Sequence, residues 1–376
     1  MIELEYTNSS NLSTPWLGTV LAVQANFYQV RLDQLKVDKL EVVGCEDNLQ
    51  ANNLQPSSLL CTRRARLKKI GQQVMVGDRV VVDEPDWAGG RGVIAEVLPR
   101  TTQLDRPPIA NAQQILVVFA LEEPTLDAYQ LSRFLVKAES TGFKVCLCLN
   151  KLDLVTQQQQ QHWQQRLEAW GYQPVLISVH NGTCLAQLTD LLSQTISVMA
   201  GLSGVGKSSL INYLIPATRV RVAEVTGKLG RGRHTTRHVE LFELPRGGFL
   251  ADTPGFNQPD LTCTPEDLIH YFPEARERLA QHRCQFSNCL HRDEPNCAVR
   301  GDWERYQHYL DFLAEVIARQ EALNQKADIE STMKLKIKAS GRRQYEPKLE
   351  TKKYRRRSRR TQHQTLDELY DDINEG

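Results

Sequence analysis

Gly201-Leu202-Ser203-Gly204-Val205-Gly206-Lys207-Ser208-Ser209 is the stretch on which the fold turns. It matches G-x-x-x-x-G-K-[ST], a pattern that a chain of this length shows by chance about once in a hundred. An apolar strand, Thr195 to Ala200, precedes it, and an apolar helix, Leu210-Ile211-Asn212-Tyr213-Leu214, follows. In that context the glycines let backbone N–H groups curl around phosphates at a helix N-terminus. Lys207 would reach the β- and γ-phosphates, and Ser208 would ligate Mg²⁺. The alternative is a glycine-rich turn without a ligand.

Downstream, Asp252-Thr253-Pro254-Gly255 follows a short apolar strand, Gly248-Phe249-Leu250-Ala251. An Asp at the carboxyl end of a strand can hold Mg²⁺ through water, and the Gly255 N–H can face a γ-phosphate. Between the two motifs lies Gly230-Arg231-Gly232-Arg233-His234-Thr235-Thr236, a basic loop whose Thr235 and Thr236 hydroxyls suit a metal. Upstream, Asn150-Lys151-Leu152-Asp153 follows a strand ending at Leu149. The Asp153 carboxylate can accept from guanine N1–H and the 2-amino group, donors that adenine lacks, so such a site discriminates strongly. Lys151 can lie along the base plane. Ser178, after a strand over 174–177, would close the base pocket through the backbone around Val179 and His180. N-K-x-D alone is a weak signal; its order is informative. It stands before the phosphate loop, the reverse of familiar GTPases, so the domain is a circular permutation. The permuted order also ties the cysteine-rich segment directly to the Asp252 region, so nucleotide state could move that segment.

Cys284-x4-Cys289-x-His291-x5-Cys297 gathers three thiols and an imidazole within 14 residues. Three Cys and one His form a closed tetrahedral zinc set, a structural rather than catalytic pattern. Unpaired thiols in a helical core are the competing reading. Cys45, Cys61, Cys146, Cys148, Cys184 and Cys263 lack such company, and most are expected to be buried as small apolar residues.

Around these motifs the 376 residues divide into domains. Residues 1–14 are a polar, flexible start. Residues 15–100 carry about five short strands, among them 18–23, 28–32, 59–67, 78–83 and 92–98, separated by glycines and prolines. That fits an OB-type β-barrel, a frequent nucleic-acid binder, with an SH3-like barrel left open. Residues 101–260 alternate strand and helix, which implies a parallel sheet covered on both faces; Thr125 is the expected cap of the first helix. Residues 261–328 read as a helical zinc-binding domain whose core stripe is Trp303, Tyr306, Leu310, Leu313 and Ile317. Residues 329–376 read as a disordered tail, basic then acidic. Its 331–360 stretch carries 13 Lys/Arg and two Glu, and 361–376 carries five acids and no base. The net charge of +1 therefore leaves −5 on residues 1–330. A basic tail on an acidic body suggests a polyanion such as RNA, or simply a solvated charge run.

With 41% apolar residues the chain can bury real cores, and no apolar run approaches 18 residues, which excludes a membrane-spanning helix. The acidic start Met1-Ile2-Glu3-Leu4-Glu5 lacks a signal-peptide core, and nine cysteines is an odd number. A cytoplasmic monomer with no membrane partner is expected.

The ordered set of motifs resembles the RsgA (YjeQ) family, the bacterial ribosome small subunit-dependent GTPases, over about residues 15–320. The resemblance rests on an OB-like start, N-K-L-D at 150, G-L-S-G-V-G-K-S-S at 201, G-R-H-T-T at 232, D-T-P-G-F at 252 and C-x4-C-x-H-x5-C at 284. It implies an OB barrel, a permuted GTPase domain and a C-terminal zinc domain. It implies binding to the small ribosomal subunit and its rRNA, late maturation of that subunit, and GTP hydrolysis to GDP stimulated by it. Asn150, Lys151, Leu152 and Asp153 would then read guanine, and Gly201 to Ser209 would hold the phosphates. Thr235, Thr236, Asp252 and Gly255 would serve the switches, and Cys284, Cys289, His291 and Cys297 would bind one zinc. Cys184 stands where the family usually has Gly. Phe256 stands where many GTPases orient water with Gln, which leaves His234, beside Lys207 and Asp252, as the catalytic candidate and implies slow intrinsic turnover. An RNA-binding module that only senses GTP, and an NTPase acting on another RNA, are the competing functions.

Overall fold

The computed structural model describes residues 16–33, 58–105, 107–216, 239–252, 259–330, 333–337 and 343–347, the last two and 325–330 as backbone alone. It divides into two compact units, Met1–Leu313 and Ala314–Gly376.

The first unit begins with five strands, β1 (Trp16–Gln24), β2 (Phe27–Leu32), β3 (Ser58–Arg63), β4 (Arg79–Asp86) and β5 (Arg91–Val97), and a short helix α1 (Ala65–Lys69). They close in the order β1-β2-β3-β5-β4-β1, with β3 and β5 parallel and the other pairs antiparallel. A closed five-stranded Greek-key barrel of this order, with a helix between its third and fourth strands, settles the OB reading over the SH3-like one. Val20, Val30, Leu59, Cys61, Val80, Val82 and Ile94 fill its interior. The expected strand over 59–67 ends instead at Arg63, and Leu67 lies in α1 as the apolar side of a basic turn.

A hairpin, β6 (Gln103–Asp105) and β7 (Pro108–Ala110), leads to β8 (Gln114–Ala120), α2 (Ala128–Glu139), β9 (Lys144–Asn150), α3 (Gln157–Ala169), β10 (Val175–Leu176), α4 (Leu185–Leu192), β11 (Ile196–Ala200) and α5 (Lys207–Leu214). After residues 217–238 come β12 (Glu240–Glu243) and β13 (Phe249–Asp252). The strands lie in the order β10-β9-β8-β11-β13-β12, parallel except for β12. Every residue of β8 is buried, as a strand covered on both faces must be. α2 and α3 pack on one face, through Leu131, Phe134, Leu135 and Leu167. α4 and α5 pack on the other, through Leu185, Leu188, Leu210 and Ile211. The cap of α2 is Asp127, whose carboxylate accepts from Gln130 N at 2.7 Å; the expected cap, Thr125, instead donates to Glu122.

The barrel is sewn into this sheet. A register shift in β1 between Val20 and Ala22 breaks the strand's alternation. Val20 thus faces the barrel core, while Leu21 joins the core built on β8 and α2. Ala22 pairs with Glu240 of β12, which makes one continuous 11-stranded sheet among the described residues.

The remainder of the unit is α6 (Pro273–Gln281), an irregular segment over 282–305, and the start of α7 (Tyr306–Glu330). The cysteine-rich segment is therefore not helical; its chain is bent by side-chain bonds rather than by helix periodicity. The buried stripe runs Arg305, Tyr309, Phe312 and Leu313, offset from the expected Trp303, Tyr306 and Leu310, which are only half-buried. The offset arises because an arginine takes the innermost place. The Arg305 side chain is fully buried and donates from Nε to Glu274 Oε1 at 2.6 Å and from Nη2 to Glu274 Oε2. Its guanidinium lies over Trp170 at 4.7 Å, Phe272 at 4.9 Å and Tyr172 at 5.6 Å. Glu304 accepts from Trp170 Nε1 at 2.8 Å and from Arg166. Glu139 of α2 accepts from Tyr172 OH at 3.1 Å and pairs with Arg276 at 2.7 Å. The segment that follows the nucleotide domain is thereby fixed to α2, α3 and the turn after α3.

In the second unit, β14 (Met333–Ile337) and β15 (Arg343–Pro347) pair antiparallel, Met333 opposite Pro347 and Ile337 opposite Arg343. The tail is thus not wholly without structure: Met333, Leu335 and Ile337 alternate with lysines in sequence, the two-residue period of a strand.

Arg305→Ala removes one member of a buried ion pair and strands Glu274, so unfolding should become easier by about 3 kcal/mol. Replacing both, Arg305→Met with Glu274→Leu, should recover most of that loss in denaturant melts, because an apolar pair leaves no unpaired charge.

Candidate functional site

The sheet order delivers three loops to one end. Asn150 is the last residue of β9, Gly201 follows β11, and Ser178 follows β10. Lys151 adopts φ +64°, which turns the chain into a short 3₁₀ turn over Leu152–Leu154 that carries Asp153. Leu152 N donates to Ile177 O at 3.0 Å, which ties the turn to the strand before Ser178.

Asn150, 2% exposed, holds the loops together. Its Nδ2 donates to Val205 O at 2.9 Å, and its Oδ1 accepts from Val179 N at 3.3 Å. The amide is thus shared between the phosphate loop and the Ser178 loop, and its role is to position both. Gly206 answers it: at φ +97°, a Cβ there would lie 2.3 Å from Asn150 Nδ2. Gly201, at φ +145°, has the same constraint from the other side, with Val118 O 2.1 Å from where a Cβ would be.

Asp153 stands at the surface end of this turn and accepts from Ser178 Oγ. That hydrogen bond, with His180 and Lys151 nearby, holds its carboxyl below the usual carboxylate range, so it is an acceptor throughout the neutral range. Lys151 Nζ donates to Glu123 O. A cavity of ≈ 550 Å³ opens between Asp153, Lys151, His180, Glu123, Gly206 and Ser209. The Asn150–Asp153 turn and the loop before α5 therefore line one pocket. Glu123, at φ +53° after β8, was not singled out in the sequence; the only signal for it is the Glu122-Glu123-Pro124 turn.

Lys207 is the first residue of α5, and its Nζ donates to Gly201 O at 2.8 Å and Leu202 O at 2.5 Å. Burial pushes this ammonium below its usual value, against the pull of Asp252. Asp252 ends β13 opposite Met199 of β11, beside the phosphate loop. Ser203, Gly204, Ser208 and Ser209 complete the loop and the first turn of α5. His234, Thr235, Thr236, Gly255 and Phe256 lie outside the described residues. Cys184 adopts φ +56° at the start of α4 and is exposed. A side chain in this left-handed conformation is strained, a position that glycine occupies without cost. Cys61, Cys146 and Cys148 are buried, and burial pushes the Cys61 thiol up to about 12.

The second cluster lies in the irregular segment. The donor atoms of Cys284, Cys289, His291 and Cys297 all fall within 4.8 Å of one another. His291 Nδ1 lies 3.5 Å from Cys284 Sγ, 3.6 Å from Cys289 Sγ and 3.2 Å from Cys297 Sγ, with Cys284 and Cys297 sulfurs 4.0 Å apart. Tetrahedral zinc with ordinary bond lengths separates its donors by about 3.6–3.8 Å, so the cage fits such an ion. Ala298 N and Arg300 N each point at a sulfur from 3.3 Å, Cys284 and Cys297 respectively. Tyr306 OH donates to His291 O at 2.8 Å and fixes that ligand's backbone. Burial pushes the Cys289 thiol up to about 12 and the His291 imidazole down, so the neutral forms prevail until a cation supplies charge.

Against known proteins, residues 97–262 match the model of the family described as RsgA GTPase, and residues 197–333 match one described as 50S ribosome-binding GTPase. The chain is 68% identical over 358 residues to the small ribosomal subunit biogenesis GTPase RsgA of Trichormus variabilis, covering 94% of this chain and 96% of that protein. The chain belongs to the RsgA family. Two solved structures agree with its RsgA architecture at 30% identity. YloQ, described as a circularly permuted GTPase, superposes with a TM-score of 0.64 over 83% of this chain and 99% of its own. YjeQ from Thermotoga maritima gives 0.62 over 81% and 99%. The permuted order of the motifs, the closed barrel and the Cys/His cluster are thus those of an RsgA GTPase, and GTP hydrolysis is its activity. No described helix is long and apolar enough to cross a membrane.

Asp153→Asn replaces an acceptor by a donor facing guanine N1–H and its 2-amino group. GTP affinity should fall more than about tenfold, and XTP, which offers a 2-carbonyl, should gain, as measured by nucleotide titration.

Proposed function

We propose that this chain hydrolyses GTP on the small ribosomal subunit during late steps of its maturation, and that the subunit stimulates the reaction. The observation that carries this is the pocket in which Asn150 joins a guanine-reading turn to a phosphate loop. The near full-length relationship to a protein named for small-subunit biogenesis supplies the partner.

In this reading Asp153 selects guanine, Lys207 and the loop amides hold the phosphates, and Ser208 and Asp252 hold Mg²⁺ directly and through water. Cys284, Cys289, His291 and Cys297 hold one structural zinc, which fixes the shape of the segment without entering the reaction. Contacts to rRNA come from the barrel, where Arg64, Arg66, Lys68 and Lys69 are exposed around α1, and from the basic tail, which adds phosphate contacts without sequence choice. The protein acts as a cytoplasmic monomer. His234 orients or activates water where Phe256 cannot.

Turnover measured alone, with small subunits and with large subunits tests the reading. Strong stimulation by the small subunit is expected, since ordered partners raise GTPase rates by about 10³–10⁵ elsewhere. Stimulation by the large subunit alone, or by neither, would overturn it. His234→Ala should lower the stimulated rate about a hundredfold while GTP binding persists.

Metal analysis of protein purified without chelators should find about one zinc per chain. Cys289→Ala should make the 284–297 segment protease-sensitive while nucleotide binding survives.

A further inference from the structure

Strand pairing joins the barrel to the nucleotide-domain sheet through β12, beside the contacts that Leu21, Val76 and Gly77 make with the nucleotide domain. β12 is four residues long and lies between β13 and β1. On one edge Glu240, Leu241, Phe242 and Glu243 pair with Asp252, Ala251, Leu250 and Phe249. On the other edge the same Glu240 pairs with Ala22 of the barrel. One residue therefore stands between the barrel wall and Asp252. At the far end of β12, Glu243 is gripped from the barrel: Arg31 of β2 donates from Nε to Glu243 Oε2 at 2.7 Å. Arg31 is itself held in the barrel wall, paired with Thr19 on one side and Ser58 on the other, and its side chain is mostly buried.

We infer that Arg31 and Glu243 form a positioning pair for GTP hydrolysis: they lock β12 to the barrel, so that a partner holding the barrel also fixes Asp252 beside the phosphate loop. The mechanical argument is one of constraint. A strand anchored at one edge only can slide or tilt relative to a neighbouring domain. β12 is anchored at both ends, by the Ala22–Glu240 pairing and by the Arg31–Glu243 ion pair, so β13 and its Asp252 are held by β11 on one side and by a barrel-anchored strand on the other. The bulge that places Leu21 in the nucleotide-domain core stiffens the same junction. Neither Arg31 nor Glu243 lines the nucleotide pocket, so the effect is confined to the acceleration gained when a partner holds the barrel. The inference rests on the proposed docking of the barrel on the small subunit.

The test compares the full chain with Arg31→Met, Glu243→Gln and the charge reversal Arg31→Glu with Glu243→Arg. Four quantities are read: basal kcat and KM for GTP, subunit-stimulated kcat, co-sedimentation with the subunit, and the Mg²⁺ concentration giving half the stimulated rate. Each single variant should keep basal turnover, KM and co-sedimentation. Its stimulated kcat should fall about three- to thirtyfold, the range typical of residues that carry coupling between sites, with a raised Mg²⁺ requirement. The charge reversal should restore both. Full stimulation in the single variants, or a reversal that restores nothing, overturns the pairing. A single variant that loses stimulation together with co-sedimentation also overturns it, because the pair would then be a docking contact. Loss of stimulation in the unaltered chain would instead fail the proposed function, so the two failures are distinguishable. Thermal melts of each variant exclude unfolding as the cause, and Arg31→Lys, which keeps the charge, should retain most of the stimulation.

Discussion

Everything at the nucleotide site depends on one buried amide. Asn150 satisfies a donor with the phosphate loop and an acceptor with the Ser178 loop, and a buried amide left unpaired is costly. The two loops and the Lys151–Leu154 turn therefore stand in fixed register. That requirement reaches outward. Gly206 must lack a side chain because Asn150 occupies its space, and Lys151 must accept a left-handed backbone so that Asp153 can line the pocket. The sheet must run β10-β9-β8-β11 so that the ends of three strands, far apart in the chain, open on one pocket. None of these conditions refers to the order in which the chain visits the strands. This is why a permuted chain can build the site: only connections on the far side of the sheet change.

The same independence explains what the permutation gains. The strand carrying Asp252 comes last in the nucleotide domain, and the chain then passes into the cysteine-rich segment. Sequence order alone suggests that nucleotide state would drag that segment along. The packing adds a second attachment. Arg305 sits fully buried among Trp170, Tyr172 and Phe272, paired to Glu274, while Glu304 and Arg276 reach α3 and α2. A guanidinium so enclosed keeps its partners or leaves a charge stranded in apolar surroundings. The Cys/His segment is thus joined to the elements that pack against α2 and α3, while Asp252 lies between β11 and β12.

What could be read from the residues was local. The phosphate loop, the N-K-L-D turn, the Cys/His spacing and the run of β8 each declare themselves within about a dozen residues, because their chemistry fixes their spacing. What could not be read was decided by tertiary contact. Thr125 and Asp127 are both good helix caps, and only the path of the chain from β8 chooses Asp127. Leu67 looks like a strand residue until α1 is seen folding it into the barrel. The aromatic stripe of α7 is displaced because Arg305, just before the helix, is fully buried together with Phe272, Tyr309 and Phe312. Asn150 was legible as a base-reading residue by resemblance, but its bridging role needs partners 29 and 55 residues away.

The barrel illustrates the limit most sharply. Five short strands are compatible with more than one small barrel, and only the parallel pairing of β3 with β5 distinguishes them. Its attachment to the nucleotide domain is invisible in the sequence, since a bulge at Leu21 and a four-residue strand carry no pattern of their own. Yet this is where the barrel and the nucleotide domain become one object. A barrel on a flexible linker would raise the local concentration of a substrate and nothing more. A barrel continuous with the sheet that ends in Asp252 transmits strain, because paired strands resist relative sliding by the loss of their hydrogen bonds. Continuity of the sheet is thus the physical condition under which binding at the barrel can be felt at the phosphates.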